Sequence, residues 1–277
     1  MNLGEALRFF TAELAAHTED PALEARLIIQ KATGLSRPVL LSHPELAVNT
    51  DSYTNILEMC GQRKRGIPLP YLLGEWEFYG HTFFVDPSVL IPRPETELLV
   101  EQAAAKLKSY PQIRFGFDIG TGSGCIAVSL LLEFPDLHMT AVDIKMEALR
   151  TAGRNAERHH CSDRFHPVCA DLFSAFSGEP QLICANLPYI PTETCRMIEP
   201  ARYEPMSALD GGADGFGLYR LLFAQLANKI NKDSLILCEI EYRQRELALE
   251  TAEAFFPGYP IRVLDDLAGL PRILRIG

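Results

Sequence analysis

The amino-terminal part of the chain, residues 1–73, has hydrophobic positions at helical spacing. Two apolar stripes share this spacing: Leu3, Leu7, Phe10 and Leu14, and then Leu23, Leu27 and Ala32. Pro21, a residue favoured in the first turn of a helix, separates them. A third helix is predicted from Ser52 to Lys64. Because residues three or four apart share one face of a helix, the stripes predict the packing surfaces of a small helical domain.

Residues 75–91 have a different pattern, in which aromatic and β-branched residues surround Gly80. Such residues are enriched in strands, and glycine is favoured in the tight turn between two strands. The pattern predicts a β-hairpin within residues 74–92, which we expect to link the helical domain to the rest of the chain.

From residue 93 to 277, strand-like apolar runs alternate with helix-like segments. The predicted strands are 115–118, 138–142, 166–169, 181–185 and 235–240, followed by two final runs at 261–264 and 273–276. Helical patterns at 126–134 and 146–159 separate the first of them. Alternation of this kind is typical of an α/β domain with a doubly wound, mostly parallel sheet. The two final runs would add an antiparallel edge, which makes the predicted sheet seven-stranded.

The amino-acid composition argues against several classes of function. The net charge of −10 argues against a broad electropositive face for nucleic acid. Seven scattered cysteines without C-x-x-C spacing predict buried free thiols in a reducing compartment, and the scattered histidines predict no metal site. The first 20 residues lack the apolar core of a signal peptide, and no apolar run is long enough to cross a bilayer. The sequence therefore predicts a cytoplasmic protein without a membrane partner.

A glycine-rich segment follows the first strand of the predicted sheet. It reads Asp118-Ile-Gly120-Thr121-Gly122-Ser123-Gly124. A dinucleotide fingerprint, G-x-G-x-x-G, would require glycine at position 125, where Cys125 stands. The observed spacing suits a smaller ligand that carries an amino acid and a nucleoside. We therefore predict Asp118 and residues 120–124 as cofactor-binding.

Acidic residues follow the next two strands. Asp143 lies about 20 residues beyond the last glycine, where nucleotide sites place an acid that binds ribose hydroxyls. Asp171 follows the third strand, and Leu172 and Phe173 after it offer apolar contact to an adenine ring. Glycine turns and acids at strand ends also occur for structural reasons. Together on one edge of a sheet, they favour S-adenosylmethionine over NAD.

The tetrapeptide Asn186-Leu187-Pro188-Tyr189 follows the fourth strand and is predicted to face the same crevice, where Asn186 is predicted to contact the cofactor as well as the substrate. A planar NH2 group has a delocalised, poorly nucleophilic lone pair. The Asn186 side-chain oxygen and the Leu187 carbonyl can accept its two N–H bonds and stabilise positive charge on the nitrogen. Tyr189 can wall the slot and lie near a sulfonium. An ordinary Asn-Pro turn with a surface tyrosine is the simpler alternative.

The sequence resembles the HemK-type (PrmC-like) peptide chain release factor glutamine N5-methyltransferases over nearly its whole length. The matching segments are 66–75, 78–80, 89–97, 118–122, Asn186 with Pro188 and Tyr189, 203–205, 211–215 and 266–269. The resemblance implies a class I S-adenosylmethionine-dependent methyltransferase. It would methylate the glutamine of the Gly-Gly-Gln loop in class I release factors, release S-adenosylhomocysteine and so modulate translation termination.

The same resemblance implies roles for individual residues. Residues 120–124 and Asp143 would hold the cofactor, Leu172 would border it, residues 186–189 would take the glutamine amide, and the amino-terminal helices would dock the release factor. Leu187 replaces the proline usual in the family, which keeps the carbonyl but adds an N–H and predicts a looser amide slot. Glu241 and Arg245 replace common glycines, and Pro271 interrupts a stretch that is often acidic.

Three other functions compete with this interpretation. An adenine-N6 methyltransferase acting on DNA uses similar chemistry, but the acidic composition offers few phosphate contacts. A protein that only binds release factors would be indicated by loss of the glycine loop or Asn186, and both are present. A dehydrogenase is supported only by analogy of fold.

Overall fold

The computed structural model describes residues 1–277, leaving aside the side chain of residue 199. The chain folds into two compact units, Met1–Glu75 and Trp76–Gly277. None of the described helices is both long and apolar enough to cross a membrane.

The first unit is helical, as the sequence predicts. Its helices are α1 (Leu3–Leu14), α2 (Pro21–Thr33), α3 (Arg37–Ser42), α4 (Thr50–Lys64) and α5 (Leu69–Leu73). A capping box of Asn2 and Glu5 begins α1, because the two side chains satisfy each other's free backbone N–H groups. Asp20 caps α2, and Gly34 ends it in the left-handed conformation.

The buried face of α2 differs from the predicted stripe. Leu23 is 36% exposed, whereas Ala25, Ile28 and Ile29 are fully buried. The helix carries two apolar stripes, and its packing against α1 and α4 selects the one with the two isoleucines. In α1, Leu3, Phe10 and Leu14 are buried as predicted.

The hairpin prediction is confirmed by β1 (Glu75–Phe78) and β2 (His81–Phe84), which pair as a two-stranded sheet. Tyr79 and Gly80 form the turn with φ of 51° and 72°. Two consecutive positive φ angles match the twist that joins tightly connected antiparallel strands.

The second unit holds the predicted seven-stranded sheet. Its strands are β3 (Phe115–Ile119), β4 (His138–Asp143), β5 (Phe165–Cys169), β6 (Leu182–Ala185), β7 (Leu235–Glu239), β8 (Ile261–Asp265) and β9 (Pro271–Ile276). Their order is β5-β4-β3-β6-β7-β9-β8, in which β9 runs in the direction opposite to the other six strands. The strand order reverses between β3 and β6, which is the point where doubly wound sheets bind ligands.

Helices cover both faces of this sheet. They are α6 (Glu97–Ser109), α7 (Cys125–Glu133), α8 (Met146–Arg158), α9 (Thr192–Cys195), α10 (Gly217–Leu226) and α11 (Arg245–Phe255), with 3₁₀ turns at Pro94–Thr96, Glu199–Arg202, Met206–Ala208 and Tyr242–Gln244. The sheet separates two hydrophobic cores. On β6, Leu182 and Cys184 belong to one core, and Ile183 and Ala185 to the other. This alternation explains why central strands read as continuous apolar runs.

Candidate active site

A cavity lies at the carboxyl ends of β3, β4 and β6, where the strand order reverses. It holds about 990 Å³ of empty space, counting the open space at its mouth. Its wall includes nearly all of the residues predicted as cofactor-binding: Gly120, Thr121, Gly122, Ser123, Asp143, Asp171, Leu172 and Asn186. Residues from separate predicted motifs therefore meet in one crevice.

The three glycines of the loop after β3 have different structural tasks. All have positive φ, from 53° to 79°. At Gly122 a side-chain carbon would meet no atom within 4 Å, so a ligand can approach the backbone there. At Gly124 the same carbon would lie 3.0 Å from Ala152 Cβ, so glycine lets α7 start close against α8. Gly124 is not part of the cavity wall as described, and shapes the loop from behind.

Asp118 lies beneath the loop and is fully buried. Its Oδ2 accepts hydrogen bonds from Thr121 Oγ1 at 2.7 Å and from the Ala127 N–H at 3.2 Å. Burial raises the pKa of this carboxyl to about 7. Asp118 therefore stabilises the glycine loop through these hydrogen bonds. Its contact with a cofactor remains a prediction.

Asp143 ends β4 and faces the cavity. Its two oxygens accept from the N–H groups of Gly122 at 3.0 Å and Lys145 at 2.9 Å. These bonds fix the carboxylate and leave further lone pairs for ligand hydroxyls. Burial raises the pKa of Asp143 despite those bonds. A further hydrogen bond donated to this buried carboxylate would therefore stabilise its ionised form strongly.

The segment after β5 contributes Asp171 and Leu172 to the wall. Leu172 has a φ of 52°, a conformation that is strained for a branched side chain, and strained residues of this kind cluster at functional sites. Phe173 was predicted to share the apolar contact with Leu172, and this is wrong. It is fully buried and packs on Phe117 and Phe176, because its ring completes the core below the cavity.

Asn186 follows β6, and two neighbours hold its side-chain amide. Nδ2 donates to Thr96 Oγ1 and to Glu239 Oε2, each at 3.0 Å. An ionised carboxylate only accepts hydrogen bonds, so Glu239 requires the NH2 half of the amide to face it. Oδ1 is thereby left for a ligand, and no described residue donates to it.

Sequence reasoning missed Glu239, which ends β7 and is fully buried. Its Oε1 accepts from the Tyr189 hydroxyl at 3.2 Å. Burial, reinforced by the Glu239 charge, raises the pKa of Tyr189. A signal was available: Glu239 is an acid that ends an apolar strand, which is the pattern that identified Asp143.

The wall also contains six residues between positions 88 and 96, and the sequence marked those from Val89 onward only through the family resemblance. Leu90, Arg93, Asn186 and Leu187 line both this cavity and a smaller neighbour, which is lined further by Tyr189 and by Ile190, Ile198 and Leu209. Arg93 Nη2 pairs with the buried Glu204 at 2.6 Å. Asn186 therefore stands where two cavities adjoin.

Leu187, the departure from the usual family proline, is almost fully buried. Its added N–H donates to the hydroxyl of Tyr219 at 3.1 Å. That hydroxyl in turn donates to the Glu239 carbonyl, and Tyr219 is itself fully buried. The bond restrains the backbone at the position where the sequence predicted a looser slot.

We expect Tyr219→Phe to lower the free energy of unfolding by about 1–3 kcal/mol, because it leaves the buried Leu187 N–H unpaired. In the Leu187→Pro background that N–H is absent, so the cost should be smaller by about 1 kcal/mol. Urea unfolding of the double-mutant cycle measures this coupling. Tyr259→Phe, whose hydroxyl donates to the Ile230 carbonyl at 3.0 Å, should cost the same in both backgrounds. A Tyr219→Phe cost that is also independent of Leu187 would contradict the assignment.

The glycines of the 211–215 segment pack directly on the backbone of Pro188 and Tyr189. A side-chain carbon at Gly215 would lie 2.2 Å from the Tyr189 carbonyl oxygen, and one at Gly211 would lie 2.6 Å from that of Pro188. Such distances leave no room for any side chain, and the nearest atoms are backbone atoms that cannot turn away. The segment thus acts as a close support for residues 188–189.

We expect Gly215→Ala to lower the free energy of unfolding by about 2–5 kcal/mol, from backbone strain plus overpacking. Gly269→Ala is the matched control, because Gly269 has the same φ of 77° but no atom within 4 Å of the added carbon. It should show the strain alone, about 1–2 kcal/mol. Equal losses for the two variants in urea unfolding would show that the close contact with Tyr189 does not contribute to the free energy of unfolding.

Comparisons with protein families and with individual known proteins agree on one family for this chain. Residues 5–74 match the PrmC N-terminal domain family, and residues 94–199 match the methyltransferase small domain family. The release factor glutamine methyltransferase of Agrobacterium fabrum is 34% identical over 268 residues, covering 94% of this chain and 91% of its own length. The protein of the same name from Koribacter versatilis is 36% identical over 268 residues, covering 94% and 92%.

Among solved structures, the hMettl16 catalytic domain in complex with MAT2A 3'UTR hairpin 6 superposes with a TM-score of 0.57 at 14% sequence identity. The superposition covers 72% of this chain and 76% of the hMettl16 chain. At 14% sequence identity the likeness concerns the fold alone. Fold and family together imply a methyl donor of the S-adenosylmethionine type. The resemblance noted in the sequence is confirmed: the chain belongs to the release factor glutamine methyltransferase family.

Proposed function

We propose that this protein methylates the side-chain amide nitrogen of the glutamine in the Gly-Gly-Gln loop of class I peptide chain release factors, with S-adenosylmethionine as the methyl donor. The observation that carries the proposal is the held amide of Asn186, whose Oδ1 is left for a ligand at the junction of two cavities. Names of relatives at 34% and 36% identity support the same substrate.

The residues of the larger cavity fit S-adenosylmethionine. Gly122 lets the amino-acid portion approach the loop backbone, since no side chain stands there. Asp143 offers carboxylate oxygens to the ribose hydroxyls, and the apolar surface of Leu172 suits the adenine.

Asn186 Oδ1 and the Leu187 carbonyl would accept the two N–H bonds of the substrate amide. Such bonds orient the nitrogen and stabilise the positive charge that develops on it. The chemistry supplied by S-adenosylmethionine is an electrophilic methyl group: the sulfur–methyl bond breaks as the nitrogen–methyl bond forms, the sulfonium becomes a neutral thioether, and the nitrogen releases one proton. The methylated amide is a strong acid before it loses that proton, so the chain needs no strong base. Positioning of the two reactants supplies the remaining acceleration.

The smaller cavity favours a peptide over a nucleic acid. Its described wall is mostly apolar, with Ile190, Ile198 and Leu209, and Arg93 on it is already paired with Glu204. Phosphodiester binding depends on several uncommitted cations, which this wall does not offer among the described residues. We further propose that residues 1–73 dock the release factor and that the reaction takes place in the cytoplasm, where translation terminates.

The test offers the protein and S-adenosylmethionine two substrates in one reaction, a class I release factor and duplex DNA. Peptide mass spectrometry should find one added methyl group on the glutamine of the Gly-Gly-Gln loop and none on DNA. A release factor with that glutamine changed to alanine is the control and should stay unmodified. Methylated DNA beside an unmodified release factor would overturn the proposal.

A further inference from the structure

Glu239 connects two side chains of the 186–189 segment. The residue is 1% exposed, and a charge buried to this extent is unfavourable unless hydrogen bonds satisfy it. Oε2 accepts from Asn186 Nδ2 at 3.0 Å, and Oε1 accepts from the Tyr189 hydroxyl at 3.2 Å. Thr96, the second acceptor for Asn186, also hydrogen-bonds to Glu239. One buried carboxylate thus holds both side chains from below.

We propose that Glu239 is a positioning residue for glutamine methylation: it turns Asn186 Oδ1 toward the substrate amide and holds the Tyr189 ring beside it. The inference rests on the function proposed above and names a residue that acts through Asn186. Residues 96, 186 and 239 are far apart in the sequence, and only the pairing of β6 with β7 and the start of α6 brings them together.

The negative charge of Glu239 has a second effect. A carboxylate that accepts from Nδ2 polarises the whole amide, which increases the negative charge on Oδ1 and strengthens the bond that it accepts. The same charge lies one hydrogen-bonded side chain away from the substrate nitrogen. It therefore favours the positive charge that the nitrogen carries in the transition state. A neutral acceptor of the same shape would keep the orientation and lose this contribution.

The ionisation of Glu239 is open to measurement. Burial raises the pKa of Glu239 to about 7, and the charge of Glu95 acts in the same direction. Hydrogen bonds from Thr96 and Tyr189 and the charge of Arg272 oppose the rise. The other titratable groups that interact with it are Tyr219 and Cys125, whose pKa values burial raises, so both are neutral near pH 7.

The sign of the expected pH dependence follows from this. Below about pH 7 the carboxyl of Glu239 becomes protonated, loses its charge and binds Nδ2 more weakly. The kcat for release factor methylation should therefore rise with pH through about 7 and then level off. Asp118, whose pKa burial also raises to about 7, lies beneath the glycine loop, and any contribution from it persists when Glu239 is changed.

The experiment compares the natural protein with Glu239→Gln. In the variant the part of the pH-dependent rise that Glu239 contributes should be lost, and kcat at pH 8 should be lower by about 10-fold with little change in KM. Glu204→Gln is the matched control, since Glu204 is another buried carboxyl whose pKa burial raises, and it makes no bond to Asn186. Its pH profile should keep the rise. Calorimetry with S-adenosylhomocysteine shows that each variant is folded.

A second readout does not depend on activity. The side-chain NH2 resonance of Asn186, assigned by its absence in Asn186→Ala, should shift with pH near 7 in the natural protein and not in Glu239→Gln. An Asn186 resonance that does not shift at any pH at which the protein is folded overturns the proposal even if Glu239→Gln fails to fold. An active Glu239→Gln with the natural kcat and pH profile overturns it as well. Absence of methylation by the natural protein instead refutes the proposed function, and the resonance then still decides the part concerning Glu239.

Discussion

Asn186→Ala is expected to lower kcat for release factor methylation by about 10²–10³-fold or more, the loss seen when one preorganised hydrogen-bonding group is removed from a transition state. The affinity for S-adenosylhomocysteine should stay nearly unchanged, because the cofactor is expected to depend on the glycine loop and Asp143. Single-turnover methylation and calorimetry measure the two quantities separately. The truncation removes the only side chain that we expect to accept the substrate N–H.

Asn231→Ala is the matched control for this prediction. Asn231 also donates its side-chain amide to a glutamate, Glu179 Oε2, at 2.6 Å, but it is outside the described cavity walls. Its loss should leave kcat unchanged. Natural turnover in Asn186→Ala would show that the amide of Asn186 has no part in the reaction, and lost affinity for S-adenosylhomocysteine would show that its main role is to hold the cofactor.

Asp143→Ala is expected to weaken the binding of S-adenosylhomocysteine by about 10–100-fold, because hydrogen bonds to a charged group contribute about 1.5–3 kcal/mol. The variant also removes the acceptor of the Gly122 N–H, which helps to fix the loop. Calorimetry at pH 8 measures the change in affinity. Asp136→Ala, at an exposed carboxylate paired with Arg114, is the control and should bind as the natural protein does.

The pH dependence of this affinity has a definite sign. Burial raises the pKa of Asp143 in the free protein, and hydroxyl donors from a bound ligand favour the ionised form. Affinity should therefore be full above the raised pKa and fall as the pH drops through it. Asp143→Ala should lose this dependence. A variant that binds with natural affinity at every pH would show that the ribose is held elsewhere.

Much of the site could be predicted because its residues follow strand ends. The glycine loop, Asp143, Asp171 and the 186–189 segment each come directly after an apolar run. All of them reach the same crevice, apart from parts of the loop that support it and Tyr189, which lines the smaller neighbouring cavity. Parallel strands bring their carboxyl ends to one edge, so order along the chain is enough to predict the meeting. The assignment of those residues to cofactor and substrate stays a prediction.

Some predictions failed because local pattern does not show which face is covered. Leu23 and Ile28 both fit an apolar stripe on α2, and only packing against α1 and α4 leaves Leu23 exposed. Phe173 follows Leu172 directly, yet one side chain faces the cavity and the other fills the core. Neighbouring residues diverge in this way wherever the backbone turns sharply, as it does at Leu172 with its positive φ.

By itself the sequence determined the fold class, the positions of the glycine loop and the 186–189 segment, and the family. Each of these can be recognised from residues that are adjacent or evenly spaced along the chain. Tertiary structure alone decided that Thr96 and Glu239 meet at Asn186, that Tyr219 receives the N–H of Leu187, and that Gly215 supports Tyr189. Those contacts join positions far apart in the chain. Their hydrogen bonds and close approaches depend on distances of a few ångströms, which only the packed sheet and its loops set.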